Sequence, residues 1–204
     1  MQFANQVKEI IKKEILLEWR SKYALNGVLL YVVSTVFVCY LALVTIPQNP
    51  TWNALFWIIM LFASINAVAK SFLQESKGRH LYMYTLVSPG ALILAKTIYN
   101  SLLMIVLTII ALLFYCLVFE FPAGADLLMY LVAAVLGSLS FASIFTMVSA
   151  IASKAGNGGM LMAILSFPVI IPVLIVLIKF AKNAVDGLDR TVSLDEIGLL
   201  LVIN

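Results

Sequence analysis

From Tyr23 to Ala69 the chain carries no Asp, Glu, Lys or Arg, an unbroken run of 47 positions. A helix needs roughly 20 apolar residues to cross the hydrocarbon core of a bilayer. This one run therefore holds two crossings, with Pro47-Gln48-Asn49-Pro50 as the turn between them. The rest of the 204 residues follow suit: 63% are hydrophobic and 11% charged, where a soluble domain carries about a quarter charged residues. Water is not the main solvent of such a chain, and helices are the economical way for it to satisfy its backbone in lipid.

The spans follow from the charges and turns. The first is expected at 23–46 and the second at 51–69. A charged stretch, 70–80, precedes a third span at 91–118, with Lys96 near enough to its start to snorkel into the headgroups. Pro122 and Gly124 mark the next turn, and the fourth span runs over 127–151. After Ser153-Lys154-Ala155-Gly156-Asn157-Gly158-Gly159 the fifth covers 160–178. A final apolar run, 197–204, would rise only about 12 Å as a helix. It is expected to be the start of a sixth span cut short, the alternative being a tail dipping into the interface. The expected fold class is thus an all-α integral membrane protein, a single domain over 1–204 with five complete transmembrane helices plus the start of a sixth.

With the N-terminus in the cytoplasm, the inner face holds Lys8, Lys12, Lys13, Arg20, Lys22, Lys70, Lys77, Arg79, Lys96 and Lys154, and the outer face only Lys179, Lys182 and Arg190. Cytoplasmic loops carry the excess of Lys and Arg, so the N-terminus is expected inside. The outer turns are acidic instead, with Glu120, Asp126, Asp186, Asp189, Asp195 and Glu196. Residues 1–22 repeat Phe3, Val7, Ile10, Ile11 and Leu17 at helical spacing among charges. That pattern describes an amphipathic helix on the cytoplasmic membrane surface, or a plain extension of the first span. Its long mixed charge and the length of the apolar run behind it do not suit a signal peptide, so the first span is expected to stay.

Several function classes lose support. No basic stripe on a polar fold suggests nucleic-acid binding. No Gly-rich phosphate loop ending in Lys-Ser or Lys-Thr is present, nor an HExxH or paired-cysteine metal motif. Cys39 and Cys116 lie inside apolar runs and read as small buried hydrophobes. The lone His80 sits among loop charges. Asp186-Gly187-Leu188-Asp189-Arg190 has the start of a lipid-alcohol phosphotransferase motif without its later carboxylates, and reads as a solvated loop.

No ionisable residue falls at the middle of a span, as proton- or ion-coupled transport would require. The polar residues there, Asn66, Asn100, Thr146 and the serines around Gly137-Ser138-Leu139-Ser140-Phe141-Ala142-Ser143 among them, read mostly as helix–helix contacts. Driving energy must then come from outside, most simply from a separate ATPase. Its docking element would be the large inner loop 70–90, charged at first and then aromatic through Leu81 to Val87. The loop would offer Tyr82, Met83 and Tyr84 to a partner, with Pro89 resetting the chain for the next span. An ordinary positive-inside loop with interfacial tyrosines fits the same residues. Pro168 and Pro172, four residues apart in the fifth span, each remove a backbone donor, so that helix is expected to be kinked or broken near mid-membrane.

Residues 69–100, with Phe72, Glu75 and Gly78 followed by Ser88-Pro89 and Leu94-Ala95-Lys96, resemble the first cytoplasmic loop of the haem exporter protein B family, CcmB. The block from Gly158-Gly159-Met160-Leu161 through Pro168 to Pro172-Val173-Leu174 resembles that family's fifth span. ABC-2-type permeases share a Glu-Gly-Pro loop between spans two and three, and the paired prolines narrow the likeness to CcmB. The chain departs from the pattern at Leu81, where relatives often carry an acidic residue.

The resemblance implies an ABC-2-type permease architecture in the bacterial inner membrane, serving haem export in cytochrome c maturation. It further implies a CcmA-like ATP-binding subunit that hydrolyses ATP, a CcmC-like haem-handling membrane protein, a CcmE-like haem chaperone and a homodimer within the complex. Haem is the implied substrate, and no residue is nominated as its ligand. Phe72, Glu75, Gly78, Tyr82, Met83, Tyr84 and Pro89 are the expected ATPase-docking loop, and Pro168 and Pro172 the helix break. An ABC-2-type permease for lipid or drug export, or a membrane scaffold that moves nothing, fits the same residues.

Overall fold

The computed structural model describes residues 2–21, 23–43, 47–73, 87–153 and 158–204. In chain order these form α1 (Gln2–Ser21), α2 (Tyr23–Ala42), α3 (Asn49–Leu73), α4 (Pro89–Phe119), α5 (Leu127–Ala152), α6 (Gly158–Val185), a 3-10 turn (Arg190–Ser193) and α7 (Leu194–Ile203). Among the described residues, five helices, α2 to α6, are long and apolar enough to cross a membrane. The protein is an all-α, multi-pass membrane protein.

Helix boundaries follow caps and glycines more than charges. Ser88 caps α4, its Oγ accepting from the Ala91 amide at 3.4 Å, and Pro89 stands in the first turn, where its missing N–H costs nothing. Asp126 caps α5, accepting from the Leu128 and Met129 amides at 3.0 and 3.2 Å. α6 runs on to Val185, past the end expected at Ile178. The expectation stopped at the first charge, but a lysine is a good helix former whose stem can lie along apolar surface.

α5 is the hub. It packs against α3, α4 and α6, and α2 lies outside against α3 and α4. Close approach depends on small residues in α5: Ala133, Ala134, Gly137, Ser138, Ser140 and Ala142 are all buried. Gly137 is the tightest of them. A Cβ there would stand 2.7 Å from Trp57 Cη2 and 2.8 Å from Leu177 Cδ2, so α3 and α6 close on α5 through its missing side chain.

Toward the Asp126 end the core is aromatic. The Trp52 ring centroid lies 4.9 Å from Tyr115 and 5.3 Å from Tyr130, both edge-on, the arrangement that ring quadrupoles prefer. Their polar tips are satisfied across helices. Trp52 Nε1 donates to Glu120 O at 3.0 Å, Tyr115 OH to Trp52 O at 2.9 Å, and Tyr130 OH to Asn53 Oδ1 at 3.3 Å. Asn53 Nδ2 in turn donates to Ile178 O at 3.3 Å, so one carboxamide joins α3, α5 and α6.

The same end is fastened outside the core. Arg190 Nε lies 2.7 Å from Asp126 Oδ2, and the Asp126 amide donates to Ala184 O at 2.9 Å. Gly124 and Gly187 adopt φ of +84° and +66°, and a Cβ on Gly187 would stand 2.4 Å from Gly124 O. Only glycine suits that crossing of two loops.

α7 turns back from there along α5 and α6. Asn204 Nδ2 donates to Ser140 Oγ at 2.9 Å, which sets the end of the run 197–204 beside the middle of α5. Glu196, one of the acidic residues expected in the outer turns, is buried, its Oε1 2.7 Å from Lys179 Nζ. One turn of α7 has carried it against α6, where a lysine meets it.

Candidate functional site

The end of the bundle opposite Asp126 is where α1 meets the spans. α1 is helical because its Lys, Glu, Ile and Leu residues favour helix, and its stripe Val7, Ile10, Ile11, Glu14 and Glu18 follows the helical repeat. Val7 and Ile10 are buried in one apolar cluster with Phe72 at the end of α3 and Ala91, Leu92 and Ala95 in the first turns of α4. The two alanines let α1 lie close on α4. The expected membrane-facing stripe is therefore partly spent on protein: Val7 and Ile10 pack inward, while Phe3 and Leu17 stay exposed.

Lys96 corrects a second expectation. It does not snorkel. It is 1% exposed, one of the largest fully buried side chains, with Nζ 4.7 Å from the Phe72 ring centroid and 3.5 Å from Glu14 Oε1. α1 covers the position from which it would have reached the headgroups. Glu14 Oε1 also lies 3.1 Å from Lys13 Nζ, yet has no hydrogen-bond partner. The pairs are close enough for attraction but poorly angled for hydrogen bonds, so we read them as electrostatic contacts. Removing one partner of a buried pair costs roughly 3–5 kcal/mol, more than the pair itself contributes. One turn further on, Glu18 Oε1 accepts from the Leu25 amide at 3.0 Å, closing the corner between α1 and α2.

Phe72 and Pro89 bracket the expected docking loop, and both lie at this end. Phe72 is 2% exposed and turned into the α1 cluster rather than outward. Glu75, Gly78, Tyr82, Met83 and Tyr84 lie outside the described residues.

The expected helix break does not occur: α6 continues through Pro168 and Pro172. Each proline removes the donor to a single carbonyl four residues back, and the remaining bonds and the packing of α6 on α3 and α5 hold the helix. Both prolines face outward, beside exposed Phe167, Val169 and Ile171.

A groove of about 620 Å³ lies between α4 and α5, reaching α6 and the end of α7, and is lined by Ile93, Leu94, Thr97, Ser143, Met147 and Val169 among others. It is mostly apolar. Nearby, Asn100 Nδ2 donates to Thr146 Oγ1 at 2.8 Å, joining α4 to α5. Several other polar residues of the spans bond their own helices instead. Thr35 donates to Tyr31 O, Asn66 to Phe62 O and Ser166 to Met162 O; Ser166 is nonetheless fully buried, whereas Asn66 is exposed.

Residues 5–203 match the model of a family described as CcmB protein. The chain belongs to the CcmB family. That match takes in most of α1, all five spans and the whole of α7, so Val7, Ile10 and Glu14, which meet α4, lie within the CcmB-matched region. No curated protein matches the sequence. Asn53, Tyr115, Tyr130 and the Glu14–Lys96 pair are parts of this CcmB-family chain that sequence reasoning passed over. Only the pair had a signal, an acid on the apolar stripe of α1 and a lysine inside a span.

Proposed function

We propose that this chain is the membrane-spanning subunit of an ABC transporter complex that handles haem in cytochrome c biogenesis. The observation that carries the reading is membership of the CcmB family over nearly the whole chain. Five spans without an ATP-binding loop fit a permease that leaves ATP hydrolysis to a separate CcmA-like subunit. The further partners are a CcmC-like haem-handling protein and a CcmE-like haem chaperone, and the chain works as a homodimer of ABC-2-type permeases in the bacterial inner membrane.

The stretch from Phe72 to Pro89 docks the ATPase on the cytoplasmic face, with Glu75, Gly78, Tyr82, Met83 and Tyr84 as its contact residues. The excess of lysine and arginine at that end of the chain supports this orientation. ATP binding closes the partner subunits, pushes on this stretch and rearranges the spans. Haem is the substrate handled by the complex.

Two measurements test the reading. Deleting the chain from its host should abolish c-type cytochromes, and retention of them would instead favour a permease for another substrate. Glu75→Arg combined with Tyr82→Ala should leave the chain in the membrane while the ATPase no longer co-purifies. Full recovery of the ATPase would remove the docking assignment.

A further inference from the structure

The residues either side of the proposed docking stretch both touch α1. On the α3 side, Phe72 shares a buried cluster with Val7 and Ile10. On the α4 side, Ser88 N and Oγ lie 3.5 and 3.4 Å from Gln6 Oε1, long contacts at the limit of hydrogen bonding. A Cβ on Gly90 would stand 3.8 Å from Phe3 Cε2. One helix, outside the bundle of spans, thus underlies both flanks of the segment that would receive the ATPase.

What joins that helix to the bundle is mostly non-directional. Val7 and Ile10 against Ala91, Leu92 and Ala95 would tolerate sliding, because apolar contact has no fixed register. The charged contact does not slide. Lys96 is fully buried beneath α1, and Glu14 stands over it on the same stripe as Val7 and Ile10. Moving α1 along α4 would withdraw the Glu14 carboxylate from a buried ammonium, which is disfavoured, so the contact favours the register that sets Glu14 opposite Lys96. The Phe72 ring under the same ammonium adds the end of α3 to the tie by a cation–π contact.

We infer that Lys96 and Glu14 are positioning residues that fix α1 to the foot of α4 and the end of α3. A push delivered between Phe72 and Ser88 then moves the spans instead of lifting α1 away. The inference rests on the docking reading above, and its test separates the two.

The test uses the full chain with Cys39 and Cys116 replaced by alanine and Ile10→Cys added, expressed with the rest of the complex. Ile10 is 5% exposed beneath α1, so its thiol reports whether α1 stays seated. K96M and E14Q should each raise labelling of that thiol by a water-soluble maleimide about tenfold. Both should keep the ATPase co-purifying and hydrolysing ATP while lowering c-type cytochrome yield about tenfold. K96R, which keeps the charge over Phe72, should resemble the parent in every readout. Should K96M not accumulate in the membrane, E14Q, which alters the more exposed partner, carries the same comparison.

Labelling of K96M and E14Q equal to the parent would overturn the tie itself. Increased labelling with undiminished cytochrome yield would overturn the positioning role. A parent chain that retains the labelling pattern but never supports cytochrome maturation or ATPase recovery would overturn the proposed function and leave the tie standing.

Discussion

Asn53 and Asn66 are both lone amides in the same charge-free run, yet their surroundings differ. Asn53 is 2% exposed and bridges Tyr130 and the Ile178 carbonyl, whereas Asn66 is exposed and returns its donor to Phe62 of its own helix. Interhelical bonds of the first kind contribute about 0.6 kcal/mol on average in membranes. Neither residue type nor spacing announces which is which. Gly137 is clearer, because a glycine within a row of small residues suggests close approach. Gly137→Ala should cost about 1–3 kcal/mol by overpacking against Trp57 and Leu177, seen as a lower thermal midpoint in detergent. An unchanged midpoint would mean that the indole and the leucine can both move aside.

Among the elements, the two ends of the bundle are fastened by different physics. At one end α1 is seated by apolar burial with a charged pair beneath it. At the other, Asp126 combines three tasks: it caps α5, binds Arg190 and donates its amide to Ala184. The hydrogen bond from Arg190, and then that from the Met129 amide, hold its carboxyl below the ordinary range. A lowered folded value means that its stabilisation is present above the unfolded pKa of about 4 and lost as pH falls through the folded one. The thermal midpoint of Asp126→Ala should therefore lie below that of the parent near neutral pH, the gap narrowing as pH falls below about 4. A gap that widened in acid would contradict the assignment. Glu196 is likewise held low, chiefly by its bond from Lys179, and should follow the same sign.

For the molecule as a whole, the two ends must lie on opposite sides of the membrane, since α3 to α6 each connect one to the other. Under the proposed function, the excess of lysines and arginines puts the α1 end in the cytoplasm. Reporters inserted at Gly78 and at Gly187 should accordingly give opposite readings, the first active only inside and the second only outside. Identical readings would break the span count, and reversed ones would place the proposed docking stretch where no ATP is available.

The helical class and the number of long apolar helices were legible in the amino acids alone, because in lipid both depend on local composition: an apolar run long enough to cross, with its backbone bonded within itself. The caps Ser88 and Asp126 belong to the same local class. Partnership did not. Whether Lys96 reached for water or lay beneath α1, whether Val7 faced lipid or Ala91, and whether two prolines broke α6 all depended on which surface another helix brought to the spot. An apolar face reads alike whether it meets lipid tails or leucines, and only the packed bundle distinguishes the two.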